Sequence, residues 1–243
     1  MDAAARAAEA LRDLNAATGV LAAAIGGLTD AAVRAPSLLP GWTRGHVLTH
    51  LARNAEGSTR LLGWARTGVP SYEYESMQAR AAAIEAGAGR PAAAAIADVR
   101  QAAAALGAAA AGMPAGAWQR VVRYTGGQER TADVIIGSRL AEVHIHHVDL
   151  DIGYQPHDWP AGFVSDMLRR VVTGLNERAQ PMPALRLEGT DSGQGLGIGA
   201  VTPATAAVVG PDCEILAWLL GRSGGGPLTR EPAGPLPAVP AIY

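Results

Sequence analysis

The sequence predicts an α+β protein, with a four-helix bundle in residues 1–155 and a smaller α/β domain in residues 156–243. Three observations predict it. Four long stretches before residue 152 carry apolar residues at helical spacing. The segments between them hold Pro and Gly, which punctuate helices. After Pro156 the pattern changes to one helical stretch and several short apolar runs separated by Gly- and Asp-rich turns.

Residues 2–30 read as the first helix. Leu11, Leu14, Val20 and Leu21 recur near helical spacing in an Ala-rich background, and Gly26-Gly27 weakens the end. Pro36 and Pro40 mark a loop. Thr43 is a suitable N-cap for a second helix from about Arg44 to Thr67, which stops before Gly68 and Pro70. A third helical region covers about residues 75–112 and is broken near Gly87, Gly89 and Pro91. Residues 117–124 alternate loosely and predict an extended link closed by Gly126-Gly127. The fourth long helix runs from about Thr131 to Asp151 and stops before Gly153 and Pro156. Four long helices joined by loops make a bundle. In the second domain a helix is expected at 160–179, strands at 184–187, 196–198 and 206–209, and a last helix from about Asp212 to Leu220. The Gly- and Pro-rich tail from Gly224 to Pro240 predicts a loose, non-helical wrap.

Composition narrows the function classes. Hydrophobic residues make up 49% of the 243 positions, ample for a core, and charged residues only 17%, which argues against a disordered chain. A net charge of −2 gives no reason to expect nucleic acid or an anionic membrane as partner. Nothing in the composition calls for an obligate protein partner. The single cysteine, Cys213, allows neither an intrachain disulfide nor a thiolate metal cluster, and it reads as a buried small hydrophobe. The N-terminal run MDAAARAAEALRDLN lacks the apolar stretch of a signal peptide. No run approaches the roughly 18 apolar residues that span a bilayer. A soluble, cytoplasmic protein is expected.

The histidines carry the chemistry. Five of the six fall in two predicted helices: His46 and His50 in the second, His144, His146 and His147 in the fourth. Residues four apart share a helix face, with Cβ atoms about 6 Å apart. Glu142 and His146 are such a pair, as are His46 and His50. Two facing helices can therefore aim imidazole and carboxylate groups at one point, as helical bundles do when they hold metals. A buried Glu is costly unless its charge is compensated, and a cation compensates it. Two His and one carboxylate suit zinc, and also nickel, iron or manganese. Three protein ligands leave a position open for water or substrate. By spacing alone either His46 or His50 serves. His144 points away from Glu142 and His146, and His147 sits about 100° around the helix from His146. Both read as boundary or supporting residues. Asp149 and Asp151 read as surface residues or a polar helix end, and Asn54, one turn beyond His50, as a supporting residue.

Two segments resemble a known family. Residues 39–54, LPGWTRGHVLTHLARN, are similar to the start of the second helix in mycothiol-dependent maleylpyruvate isomerases, which belong to the wider DinB-like metal-binding bundles. Residues 142–150, EVHIHHVDL, resemble that family's fourth-helix motif, in which Glu and His four apart bind zinc. The resemblance extends to Leu62–Gly68, to the segment ending in Ala79-Arg80 and to Leu220-Gly221-Arg222, and so over nearly the whole chain. It implies zinc held by His50, Glu142 and His146, with His46 left as a neighbour. At His144 an aromatic residue would be equally at home in the family.

The resemblance also implies a reaction: isomerisation of maleylpyruvate to fumarylpyruvate in gentisate-type aromatic catabolism, with mycothiol as thiol cofactor. Cis–trans isomerisation of a conjugated acid needs the double bond to become single for a time. A thiolate adds, the bond rotates, and elimination restores the alkene. Cys213 has no His motif beside it, so an external thiol is required, and zinc keeps that thiol as thiolate. The substrate is a dianionic keto acid, and guanidinium groups are its expected partners. By resemblance these are Arg80 and Arg222, with the active site in a cleft between the two domains. Trp42 and Trp64 are candidates for lining the pocket, with Trp42 rather expected to pack under the start of the second helix. Tyr72 and Tyr74 precede Arg80. Two other readings share the scaffold: a mycothiol S-transferase that conjugates electrophiles, and a non-enzymatic zinc or thiol sensor.

Overall fold

The structure is a computed structural model that describes residues 2–178 and 183–238. It divides into two units, Met1–Ile152 and Gly153–Tyr243. Helices dominate the first and a small sheet the second, an α+β architecture. The expected ends of the 160–179 helix and of the tail at 239–240 lie outside the described residues.

In the first unit, α1 spans Ala3–Ile25 and begins where the Asp2 carboxylate accepts from the Ala5 N–H. The single helix expected over residues 2–30 is in fact two. The chain breaks at Gly26-Gly27, and Thr29 caps a separate short helix, α2 (Asp30–Arg34), by accepting from Ala32 N–H. Helix α3 spans Arg44–Thr67. Its Thr43 cap is reciprocal: Thr43 Oγ1 accepts from His46 N–H, and His46 Nδ1 accepts from Thr43 N–H. It ends at Gly68, whose φ of 80° is the left-handed conformation that favours glycine. Helices α4 (Met77–Ala88) and α5 (Ala92–Ala111) flank the break at Pro91. The extended link expected at 117–124 is corrected. Ala115–Gln119 form a 3-10 turn that buries Ala117 and Trp118, and only β1 (Val121–Arg123) is extended, paired antiparallel with β2 (Glu129–Thr131). Helix α6 follows over Val134–Asp149.

Helix α3 is central, packing on α4, α5 and α6, while α1 packs on α6 and α5. Leu21, Leu48, Leu51, Leu61, Leu62, Ile135, Ile136 and Ile145 are fully buried, each contributing about 2 kcal/mol from area removed from water. Small residues set how closely α3 and α4 approach. A Cβ on Gly45 would run into the backbone carbonyl of Ala88, and one on Gly87 into the Thr49 side chain. Backbone cannot step aside as a flexible side chain can. Gly45→Ala is therefore expected to destabilise the protein by about 1–3 kcal/mol, read as a lower urea midpoint at unchanged slope.

The second unit starts with a 3-10 turn at Pro156–Asp158 and helix α7 (Ala161–Asn176). Val164, Met167, Leu168, Val171, Val172 and Leu175 form its buried stripe at 3–4-residue spacing. Strands β3 (Leu185–Gly189), β4 (Gly195–Ile198), β5 (Ala207–Gly210) and β6 (Thr229–Glu231) make one sheet in the order β4-β3-β5-β6, with α8 (Asp212–Leu219) between β5 and β6 in the chain. β3 pairs antiparallel with β4 and parallel with β5, and β5 antiparallel with β6. Helices α7 and α8 pack on each other and on this sheet. Strand β6 corrects the reading of the tail as a loose wrap. By pairing Val208 with Arg230 it covers an edge that β5, whose Ala207 and Val208 are buried, would otherwise leave open. Among the described residues no helix is long and apolar enough to cross a membrane.

Candidate metal centre

Helices α3 and α6 run antiparallel, and three side-chain contacts fix their register. At one end the Arg44 guanidinium donates from Nε to Leu150 O and, at 2.8 Å, from Nη2 to Asp151 O, taking up carbonyls freed where α6 ends. At the other, the buried Arg139 donates from Nη1 to Asn54 Oδ1 at 2.9 Å. Between these clamps lie His50, Glu142 and His146.

The three side chains converge. His50 Nε2 lies 2.8 Å from Glu142 Oε2 and 2.9 Å from His146 Nε2, and His146 Nε2 lies 3.3 Å from Glu142 Oε2. One ligand atom from each falls within 4.8 Å of the others. Ligands about 2.0–2.1 Å from a tetrahedral zinc stand roughly 3.3 Å apart, so the cluster needs little expansion to take an ion. His50 and His146 are buried, and Glu142 keeps a fifth of its side chain accessible. The donor set of two imidazole nitrogens and one carboxylate oxygen fits zinc and its neighbours in the first transition row.

The electrostatics fit a cation. Burial would raise the Glu142 carboxyl, but hydrogen bonds and charge from His146 and His50 outweigh it and hold the group well below the usual carboxylate range. Burial and the neighbouring His146 push His50 down to about 4, so it offers a neutral imidazole at neutral pH. His146 is also penalised by burial, yet Asp149 and Glu142 outweigh this and raise it. The cluster thus favours a positive charge at its centre, from a proton or from a metal.

Asp149 is a correction. Read as a surface residue or a polar helix end, it does close α6 but is fully buried, and its Oδ2 lies 2.8 Å from His146 Nδ1. A carboxylate on Nδ1 fixes the tautomer that leaves Nε2 for a metal. The i,i+3 spacing of His146 and Asp149 was the signal available in the sequence. Asp149→Ala is expected to weaken metal binding by about 10–100-fold, measured by competition with a chelator. Asp151 does lie exposed, with φ 51°.

The other expected residues take distinct places. His46 folds back onto the α3 cap and sets Nε2 3.2 Å from Glu85 Oε2, away from the cluster. Trp42 stacks on His46 and meets His50 edge-on, both with ring centroids 5.9 Å apart. His144 and His147 are both buried, and burial followed by His147 lowers His144 to about 4. Arg80 on α4 places Nη2 3.0 Å from His50 Nδ1, and its guanidinium carbon lies 5.7 Å from the centre of the Tyr74 ring. Trp64 and Tyr72 meet edge-to-face. Arg222 lies in the second unit just beyond α8, donating to Leu220 O at 2.7 Å. Cys213, expected to be buried, is half-buried on α8; burial followed by Glu214 and Asp191 raises its thiol, so it does not supply a thiolate.

Glu73 went unnoticed in the sequence. Burial and Glu142 push its carboxyl up to about 7 against the opposing charges of Arg80 and Arg60. Gly57 makes room for it, since a Cβ there would strike Glu73 Cγ. No spacing rule links residues 57 and 73.

Comparison with known proteins gives the site a context. Residues 14–151 match the family model described as the mycothiol maleylpyruvate isomerase N-terminal domain, and residues 158–241 match the corresponding C-terminal domain. A crystal structure of a mycothiol-dependent maleylpyruvate isomerase superposes with a TM-score of 0.89 at 25% identity, covering 97% of this chain and 96% of that one. A His-to-Ala variant of such an isomerase superposes equally well at 24% identity over the same shares, a likeness of fold. No curated protein matches the sequence. Two family domains follow one another in order over most of the sequence, and the chain belongs to the mycothiol maleylpyruvate isomerase family.

Proposed function

We propose that this chain catalyses the mycothiol-dependent cis–trans isomerisation of maleylpyruvate to fumarylpyruvate, with zinc held by His50, Glu142 and His146. The observation that carries the reading is the convergence of two imidazole nitrogens and one carboxylate oxygen within 3.3 Å of one another in a chain of this family. His50, Glu142 and His146 would hold zinc, which would keep a bound thiol as the thiolate that reversible addition to the conjugated double bond requires.

The protein's own residues prepare this chemistry. Asp149 holds the His146 ring, and the Arg44 and Arg139 clamps hold α3 against α6, so the donor atoms are positioned before any ligand arrives. Arg80, beside His50, is suited to hold a substrate carboxylate through its planar fork of donors. Arg222 is assigned the same task by its place in the family's Leu-Gly-Arg segment.

The test is a spectrophotometric assay of maleylpyruvate with purified protein, with and without mycothiol. Loss of the enol absorbance only when the thiol is present is the expected result. Absence of turnover under both conditions would sink the reading. Arg222→Ala is expected to cost about 10²-fold in kcat/KM, roughly the value of a charge-assisted hydrogen bond pair. Unchanged turnover removes Arg222 from the mechanism.

A further inference from the structure

Tyr74 is fixed in place while its hydroxyl is left unsatisfied. The linker between α3 and α4, residues 68–76, is pinned from two sides. Arg60 Nε on α3 donates to Tyr72 O and Glu73 O, both at 3.2 Å. From the turn between β1 and β2, Thr125 Oγ1 accepts from Tyr74 N–H at 3.0 Å and donates to Tyr74 O at 3.1 Å. One hydroxyl thus takes both backbone polar groups of Tyr74, and the backbone that carries the ring has little freedom to move.

The phenol oxygen is buried and has no hydrogen-bond partner among the described residues. The charges of Glu73, Arg80 and Glu142 act on it, and it acts in turn on Arg139, so it belongs to the charged surroundings of the metal centre. Arg80, with its guanidinium carbon 5.7 Å from the ring centre, is a donor only and cannot take the phenolic proton. Burial, followed by Glu73, pushes the phenol up to about 12 against the charge of Arg80, and the proton stays in place near neutral pH. Buried polar groups are rarely left in this state, because an unmade hydrogen bond costs more than a made one returns. An orphaned donor here calls for an acceptor brought by a ligand.

The neighbours indicate which ligand atom that is. Tyr74 and Arg80 line one polar cavity of about 480 Å³, and Arg80 Nη2 stands 3.0 Å from His50 Nδ1. A carboxylate drawn to the Arg80 fork therefore brings its nearest carbonyl beside the phenol. In the reaction proposed above, the alkene's π pair moves onto the conjugated ketone oxygen as the carbon–sulfur bond forms, and returns as that bond breaks. No proton need change hands. A neutral donor aimed at this oxygen stabilises the charge as it develops and keeps its own proton.

We propose that Tyr74 is a catalytic residue that donates a hydrogen bond to the ketone oxygen of the substrate, where negative charge gathers while the double bond is open. This rests on the isomerisation proposed above and adds the group that steadies its charged intermediate.

Tyr74→Phe removes only the hydroxyl. In metal-free protein its urea midpoint is expected to equal or exceed that of wild type, since the phenyl ring leaves nothing unpaired. In metal-loaded protein, metal content is expected to stay the same and kcat for maleylpyruvate to fall about 10²-fold. Binding of acetopyruvate, measured by calorimetry, is expected to weaken about ten-fold. Acetopyruvate carries the same ketone and carboxylate but no alkene, so it cannot undergo the addition. A lower midpoint in the metal-free variant overturns the proposal, because it gives the hydroxyl a structural role. Isomerisation that survives Tyr74→Phe intact defeats this inference and leaves the reaction standing. Tyr74-dependent binding of acetopyruvate by a protein that never isomerises maleylpyruvate defeats only the reaction, with Tyr74 kept as a donor to a 2,4-dioxo acid.

Discussion

Replacing Glu142 by Ala is expected to leave the purified protein without stoichiometric metal and to lower mycothiol-dependent turnover of maleylpyruvate by about 10³-fold. The reason is electrostatic. Glu142 is the one anionic donor in the cluster, and its carboxylate offsets the cost of placing a divalent charge between two buried imidazoles. Without it, His50 and His146 face each other at 2.9 Å with only Asp149 behind one of them. Several kcal/mol of charge stabilisation is lost, and each 1.36 kcal/mol is a factor of ten in rate. Elemental analysis of wild type and variant side by side, with circular dichroism as a control for folding, is the direct check. A folded variant that retains one equivalent of metal would remove Glu142 from the ligand set.

Acidification is expected to destabilise the metal-stripped protein, with His144 as a main contributor. Burial holds His144 down to about 4 in the folded chain, against an unfolded value of 6.5. A depressed folded pKa means that the unfolded chain binds the proton first. The stability is therefore present above pH 6.5 and is lost progressively as pH falls toward 4. For this one group the loss between pH 7 and pH 5 is about 2 kcal/mol. His50 is depressed in the same direction by burial and by His146, whereas the raised His146 acts oppositely. Urea unfolding of chelated protein at the two pH values measures the sum. His144→Phe, which removes the titrating ring from a buried site, is expected to shrink the difference by about 2 kcal/mol. An unchanged difference would mean that His144 is not held neutral by its surroundings.

Much of this protein was legible in one dimension because the signals are local. Helix α3 was bounded correctly from Thr43 to Gly68, since a capping side chain and a left-handed glycine act within one turn of the backbone they terminate. The pairing of Glu142 with His146 followed from helix geometry, and family motifs distinguished His50 from His46. Spacing alone left those two open, and the physical difference lies in the cap, where His46 turns back on Thr43. The Thr29 cap that splits α1 from α2 was a local signal passed over, and two other errors fell where long-range contacts decide. Residues 115–119 coil to bury Trp118, and β6 forms because β5 needs a partner supplied by the tail.

What the sequence determined by itself was most of the long helices, the change from helical to strand-like pattern after Pro156, and the Glu142–His146 pair, because period, caps and i,i+4 spacing are properties of the chain alone; the choice of His50 over His46 came from the family resemblance. The tertiary structure alone decided the surroundings of that cluster. Arg44 and Arg139 locking α3 to α6, Glu73 in the space left by Gly57, and Arg80 beside His50 owe their roles to groups brought together from distant parts of the sequence, and for Asp149, an i,i+3 neighbour of His146, the fold decided the burial. Burial and through-space charge depend on which residues the fold places side by side, and no local period records that.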